Sequence, residues 1–134
     1  MWPLMDLWDF CIGVDTVVHS HLSDSRINVI TQKVISAAMD TLGNKLDKVI
    51  LYGSYARGDY ESDSDIDFLI LADVAQEEVS KWDSDINKRL QGIDLEYDIL
   101  VSVYVTGREI FNGYVDILPY YASINREGVV LYAA

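Results

Sequence analysis

Two aspartates with a single residue between them, Asp65 and Asp67, open the apolar run Ile66 to Ala72, and Gly53-Ser54 stands upstream of them. Residues i and i+2 of a strand point to one face, so on a strand the two carboxylates project together with Cα atoms about 7 Å apart. That places them within reach of the same hard cations. Magnesium binds a few carboxylates while keeping phosphate oxygens in its shell, and two-metal sites hold their ions roughly 3.5 to 4 Å apart. Handling of a nucleoside triphosphate is the chemistry such a pair suits. Gly53 has no Cβ, so the backbone can turn tightly and approach a phosphate, while the Ser54 hydroxyl and nearby N–H groups can donate to phosphate oxygens. Arg57 adds a cation for a charge-assisted contact.

Competing readings of the same stretch are weaker. An acidic loop before an edge strand is often only solvated, but an apolar strand that begins with two same-face carboxylates needs a reason for them. Asp63, Asp65 and Asp67 mimic the start of an EF-hand loop, yet its glycine position holds Phe68 and its twelfth position holds Val74. No Walker A lysine follows Gly53 or Gly58, and there is no G-x-G-x-x-G.

At these residues the sequence resembles the minimal nucleotidyltransferases (MNT) of the DNA polymerase beta superfamily. Their signature is Gly-Ser, ten residues, then Asp-x-Asp; here Gly53-Ser54 is followed by residues 55 to 64 and then Asp65-Ile66-Asp67. The flanking Gly-Ser-Tyr-Ala-Arg-Gly and Ser-Asp-Ser-Asp-Ile-Asp, and the C-terminal Ile124-Asn-Arg-Glu-Gly-Val-Val-Leu-Tyr132, are also similar, so the likeness runs from about residue 24 to 134. The resemblance implies an α/β nucleotidyltransferase fold, a mixed β-sheet covered by helices in a single domain. It implies two Mg²⁺ ions held by Asp65, Asp67 and a third carboxylate on a neighbouring strand, with Gly53 and Ser54 cradling phosphates. ATP or another nucleoside triphosphate would be the donor and an acceptor hydroxyl the recipient. Within the strand expected over Leu95 to Val103, Tyr97-Asp98-Ile99-Leu100-Val101 resembles the setting of that third acid, which selects Asp98; Asp94 and Glu96 share its strand parity. Stand-alone domains of this size resemble MNT antitoxins, which the family associates with HEPN-domain ribonuclease toxins and with AMP transfer to a toxin tyrosine. A small-molecule (aminoglycoside-like) nucleotidyltransferase and a non-catalytic binding module are the alternatives.

The elements that must position these residues follow from periodicity. Ser23 or Asp24 can cap a helix in which Ile27, Ile30, Val34, Ile35, Ala38 and Leu42 recur every three or four residues, with Gly43 as its stop. Lys48 to Tyr52 supplies a first strand. Ile66 to Ala72 supplies a second, and its run Phe68-Leu-Ile-Leu71 implies burial on both faces and a central place. Val79, Trp82, Ile86 and Leu90 describe an amphipathic helix over 75–90, ended near Gly92. Thr106-x-x-Glu109 has the form of a capping box for a helix closed by Gly113. Pro119 suits the first position of a short helix that Gly128 terminates before the apolar Val129 to Tyr132.

Composition bounds the rest. A chain of 134 residues, half of them hydrophobic, can bury one ordinary core. The domain is expected at residues 23–134, with residues 1–22 as an N-terminal extension that either packs on it or docks a partner. A net charge of −12 repels polyanions, so no nucleic-acid substrate is expected. Asp6, Asp9 and Asp15 interrupt the apolar N-terminal stretch, so no membrane span is expected either. The lone Cys11 fits a reducing, cytoplasmic location, and His19 and His21 lack companions for a metal site.

Overall fold

The computed structural model describes residues 25–134; the expected extension over 1–22, with Cys11, His19 and His21, and the expected caps Ser23 and Asp24 lie outside the described residues. Helix α1 (Ser25–Leu42) turns its apolar stripe, Ile27, Ile30, Val34, Ala38 and Leu42, entirely inward. A 3₁₀ turn at Gly43–Lys45 then feeds strand β1 (Leu46–Tyr52). A single helical turn, α2 (Ser54–Arg57), and an acidic loop lead to β2 (Ile66–Ala72). Helix α3 (Val79–Arg89), the short α4 (Ile93–Tyr97), β3 (Val101–Gly107), α5 (Arg108–Tyr114), α6 (Pro119–Glu127) and β4 (Val129–Ala133) complete the chain.

The four strands lie in the order β3-β2-β1-β4, with β1 antiparallel to β2 and β4 and β2 parallel to β3. The sheet is therefore mixed, as expected, and β2 is an interior strand. Strand alternation divides its side chains between two cores. On one face Val49, Leu51, Ile66, Phe68 and Ile70 pack against α1 and Ile86 of α3. On the other, Ile50, Leu69 and Leu71 pack against Phe111 of α5 and Ile124 of α6. The run Phe68 to Leu71 is thus buried on both faces.

Among the described residues the outer edge of β3 is covered by α3 rather than by another strand. Asn87 Nδ2 donates to the Val103 carbonyl at 3.1 Å, and the Val105 N–H donates to Asp83 Oδ2 at 3.0 Å. Two side chains of an adjoining helix thereby occupy groups that an edge strand otherwise presents for pairing.

Three expectations are corrected. The strand expected over Leu95 to Val103 is instead the helical turn α4, a reversal at Asp98, and a strand that begins only at Val101 and runs to Gly107. Local bonding decides this: Asp94 Oδ1 accepts the Val101 N–H at 3.0 Å, and Asp98 adopts the left-handed conformation (φ 54°). Aspartate tolerates that conformation better than most residues. The Thr106 capping box does not form, because Thr106 belongs to β3 and the N-cap of α5 is Gly107, with no side-chain cap. Gly113 does not close α5, which continues through Tyr114. Pro119 opens α6 as expected. Among the described residues no helix is long and apolar enough to cross a membrane.

Candidate active site

The site forms where β1 ends and β2 begins. Antiparallel register sets Tyr52 opposite Asp67, and parallel register sets Ser102 of β3 opposite the same aspartate. Asp65, one residue ahead of the strand, is exposed, whereas Asp67 is half-buried. Both line an open cavity of about 610 Å³ together with Tyr52, Ser102, Tyr104 and Tyr120. Sequence spacing put the two carboxylates on one face, and the structure brings them to one cavity.

Gly53 is fixed here by two constraints. Its φ of 78° is strained for any side-chain-bearing residue, and a Cβ would lie 2.5 Å from Asp67 Oδ2. The backbone is thus pressed directly against one carboxylate, with Ser54 opening the helical turn immediately after it. The Gly53 carbonyl accepts the N–H groups of Ala56 and Arg57, both at 3.1 Å, which closes the turn. Tyr55 and Tyr60 stack at 4.1 Å between ring centroids and fasten that turn to the acidic loop.

Electrostatics distinguish the groups. Burial, and next the charge of Asp65, push the Asp67 carboxyl above the usual carboxylate range, with Arg57 opposing in part. Burial pushes the Tyr52 phenol up as well, reinforced by its 2.8 Å hydrogen bond with the Tyr120 hydroxyl. Arg57 itself faces other partners: Nε lies 3.1 Å from Asp59 Oδ2 and a terminal nitrogen 3.5 Å from Glu127 Oε1. In this structure it ties α2 to the end of α6.

Asp98 is not brought to this pair. It sits exposed on the left-handed turn before β3, and the residue that β3 carries to Asp67 is Ser102. The acids that share its parity are engaged elsewhere, Asp94 with the Val101 N–H and Glu96 with Lys33 at 4.0 Å. Among the described residues no group of three His, Cys, Asp or Glu side chains could hold a metal. The donor set at the site is two carboxylates, all oxygen, beside a close backbone turn, and that set fits Mg²⁺ carrying phosphate oxygens in its remaining positions.

Sequence reasoning missed Ser102, Tyr52, Tyr104 and Tyr120. The period-two series Ser102, Tyr104, Thr106 was visible, but its meaning depends on the β2–β3 register. Tyr120 reaches the site only through the docking of α6.

A mixed four-stranded sheet with this helix cover, a Gly-Ser turn and an aspartate pair at the start of β2 defines a nucleotidyltransferase. The chain belongs to the nucleotidyltransferase domain family, whose model matches residues 32–122. Two proteins of Methanocaldococcus jannaschii, each named a "putative protein adenylyltransferase", are similar to it. One is 44% identical over 75 residues, spanning 56% of this chain and 74% of that protein. The other is 34% identical over 101 residues, spanning 75% of this chain and 93% of that protein. The crystal structure of a toxin–antitoxin complex with AMP-PNP contains a chain with the same fold, at a TM-score of 0.50 and 21% identity, covering 77% of this chain and 73% of that one.

Proposed function

We propose that this nucleotidyltransferase moves a nucleotidyl group, AMP foremost, from a Mg²⁺-bound nucleoside triphosphate to a hydroxyl on a partner protein, as an antitoxin acting on a tyrosine of a HEPN-type toxin. The observation that carries the transfer reading is the pairing of Asp65 and Asp67 on one cavity, with the Gly53 backbone pressed against Asp67. The protein acceptor is supported by the adenylyltransferase names of the two relatives, by the toxin–antitoxin setting of the structural neighbour, and by a net charge of −12, which suits a basic, RNA-handling partner. On this reading the nucleotidyltransferase domain is residues 23–134, preceded by an extension, and acts in the cytosol, where a lone cysteine stays reduced.

The roles follow from position. Two Mg²⁺ ions at this site would neutralise phosphate charge and bring the donor's reacting phosphorus to the acceptor oxygen. Asp65 and Asp67 would hold those ions, and Gly53 and Ser54 would offer main-chain and hydroxyl donors to the β and γ phosphates. Arg57 adds positive charge at the same end while bracing α2 against α6. Ser102, in register with Asp67, faces the acceptor side. Asp98 takes no part in this mechanism.

Incubation with Mg²⁺-ATP and the product of the adjacent gene, followed by intact-mass measurement, should show AMP added to that partner. Asp65→Asn and Asp67→Asn should each lower the rate by more than ~10²-fold while the protein stays folded, in keeping with the size of metal and electrostatic stabilisation. Asp98→Asn should keep most of the activity. Efficient labelling of a hydroxylated metabolite with an unlabelled partner would give the small-molecule reading instead, and stable partner binding with no labelling at all would leave a binding module.

A further inference from the structure

The cavity that holds the aspartates also carries a hydroxyl-bearing ring from α6. Tyr52 stands opposite Asp67, and its hydroxyl lies 2.8 Å from that of Tyr120. The two rings meet edge to face at 6.0 Å between centroids, and both line the cavity with Asp65 and Asp67. From this geometry we propose that Tyr120 is itself an acceptor, so that the protein nucleotidylates its own α6; the inference rests on the nucleotidyl-transfer reading above.

An acceptor must present a solvent-accessible hydroxyl beside a phosphorus held at the aspartate pair. Four tyrosines line the cavity and differ in how well they do so: Tyr121 packs on the second core, its ring 5.0 Å from that of Phe111. Tyr52 is half-buried within the sheet. Tyr104 lies opposite Leu69, two residues further along β2 from Asp67. Tyr120 is 52% exposed, and its hydroxyl bonds that of Tyr52, the residue paired with Asp67. Tyr104 is equally exposed, and what sets Tyr120 apart is that bond to Tyr52.

In the reaction the Tyr120 phenolic oxygen attacks the α-phosphorus of the nucleoside triphosphate. An O–P bond forms as the bond to the oxygen bridging the β-phosphate breaks, and pyrophosphate leaves with that electron pair. The phenolic proton passes to water at the open side of the cavity. Nothing is oxidised or reduced. The attached nucleotide then stands at the mouth of the site, so each labelled molecule has spent its own entrance.

The test uses the full chain alone with Mg²⁺ and ATP, GTP, CTP or UTP, read by intact mass and then by peptide mapping. The expected result is one nucleotidyl group per chain on the peptide that carries Tyr120, formed at a rate per molecule that does not change on dilution. Tyr120→Phe keeps the ring and should lose at least ~tenfold of the labelling, whereas Tyr114→Phe, an exposed tyrosine outside the cavity, should keep it. Should Tyr120→Phe fail to fold, the mapped position on the unaltered protein decides. Label on any other residue, or a rate per molecule that rises with protein concentration, overturns the proposal. Transfer to an added hydroxyl acceptor without any self-labelling overturns it and leaves the function standing; transfer to neither overturns both.

Discussion

On one face of the sheet, β2 sends Ile66, Phe68 and Ile70 beneath α1 and α3, where all three are sealed from water. On the other face the same strand presents Asp67 to an open cavity and returns to buried Leu69 and Leu71 only where α5 and α6 begin to cover it. The helix cover of the second face stops one strand-end short. A single seven-residue strand therefore anchors the fold with alternate residues and carries the chemistry with the others. The difference teaches where substitutions should separate stability from activity: residues one apart in sequence belong to different functions of the molecule.

The largest effect should come from breaking the sealed face. Phe68 is fully buried in the interior strand, and Phe68→Ala should cost ~3–5 kcal/mol of stability through lost burial and the cavity left behind. Chemical denaturation measures it. Asp65→Asn, three residues away and exposed, should change stability by less than ~0.5 kcal/mol. A Phe68→Ala protein that unfolds at an unchanged midpoint would mean the two faces are not divided in this way.

Gly53→Ala probes the seam between the two functions. An alanine forced to a φ of 78° costs about 1–3 kcal/mol, and its methyl would collide with Asp67 Oδ2. The carboxylate is the softer partner and would rotate away. A moderate loss of stability should therefore accompany a much larger loss of Mg²⁺-dependent ATP binding, read by calorimetry with and without EDTA. Unimpaired binding would show that Asp67 need not hold its observed position.

Much of this division was legible beforehand, for a physical reason. The period of α1, the two-face burial of β2 and the Gly-Ser and Asp-x-Asp residues are local features, set by spacing along the chain. The failures came where local pattern and long-range pairing disagree. Glu96, Tyr97, Asp98 and Ile99 alternate like a strand, yet one hydrogen bond from the Val101 N–H to Asp94 and a left-handed Asp98 turn that stretch into a helix and reversal. The displaced strand then brings Ser102 to Asp67 where an acid was expected. Tyr120 illustrates the same limit, since only the packing of α6 carries it beside Tyr52.

The smallest effect concerns Asp67 itself, in metal-free protein. Burial and the neighbouring Asp65 raise its carboxyl above the ordinary range, so the folded chain keeps this proton to a higher pH than the unfolded chain does. The sign follows from linkage: the proton favours the folded state, its stabilisation is fully present below the unfolded value of about 3.9, and it is lost as pH rises through the raised folded value. At neutral pH the ionised Asp67 therefore works against folding, screened in part because the group is only half-buried. An asparagine side chain in its place cannot ionise. In EDTA at pH 7 the Asp67→Asn protein should melt above the unaltered one, and the gap should close as the pH is lowered below that of an ordinary carboxylate. Added salt should narrow the gap at pH 7, because part of it is repulsion from Asp65. A variant that melts lower than the unaltered protein at pH 7 would mean that this carboxylate supports the open face, and the separation of stability from chemistry along β2 would fail at its most important residue.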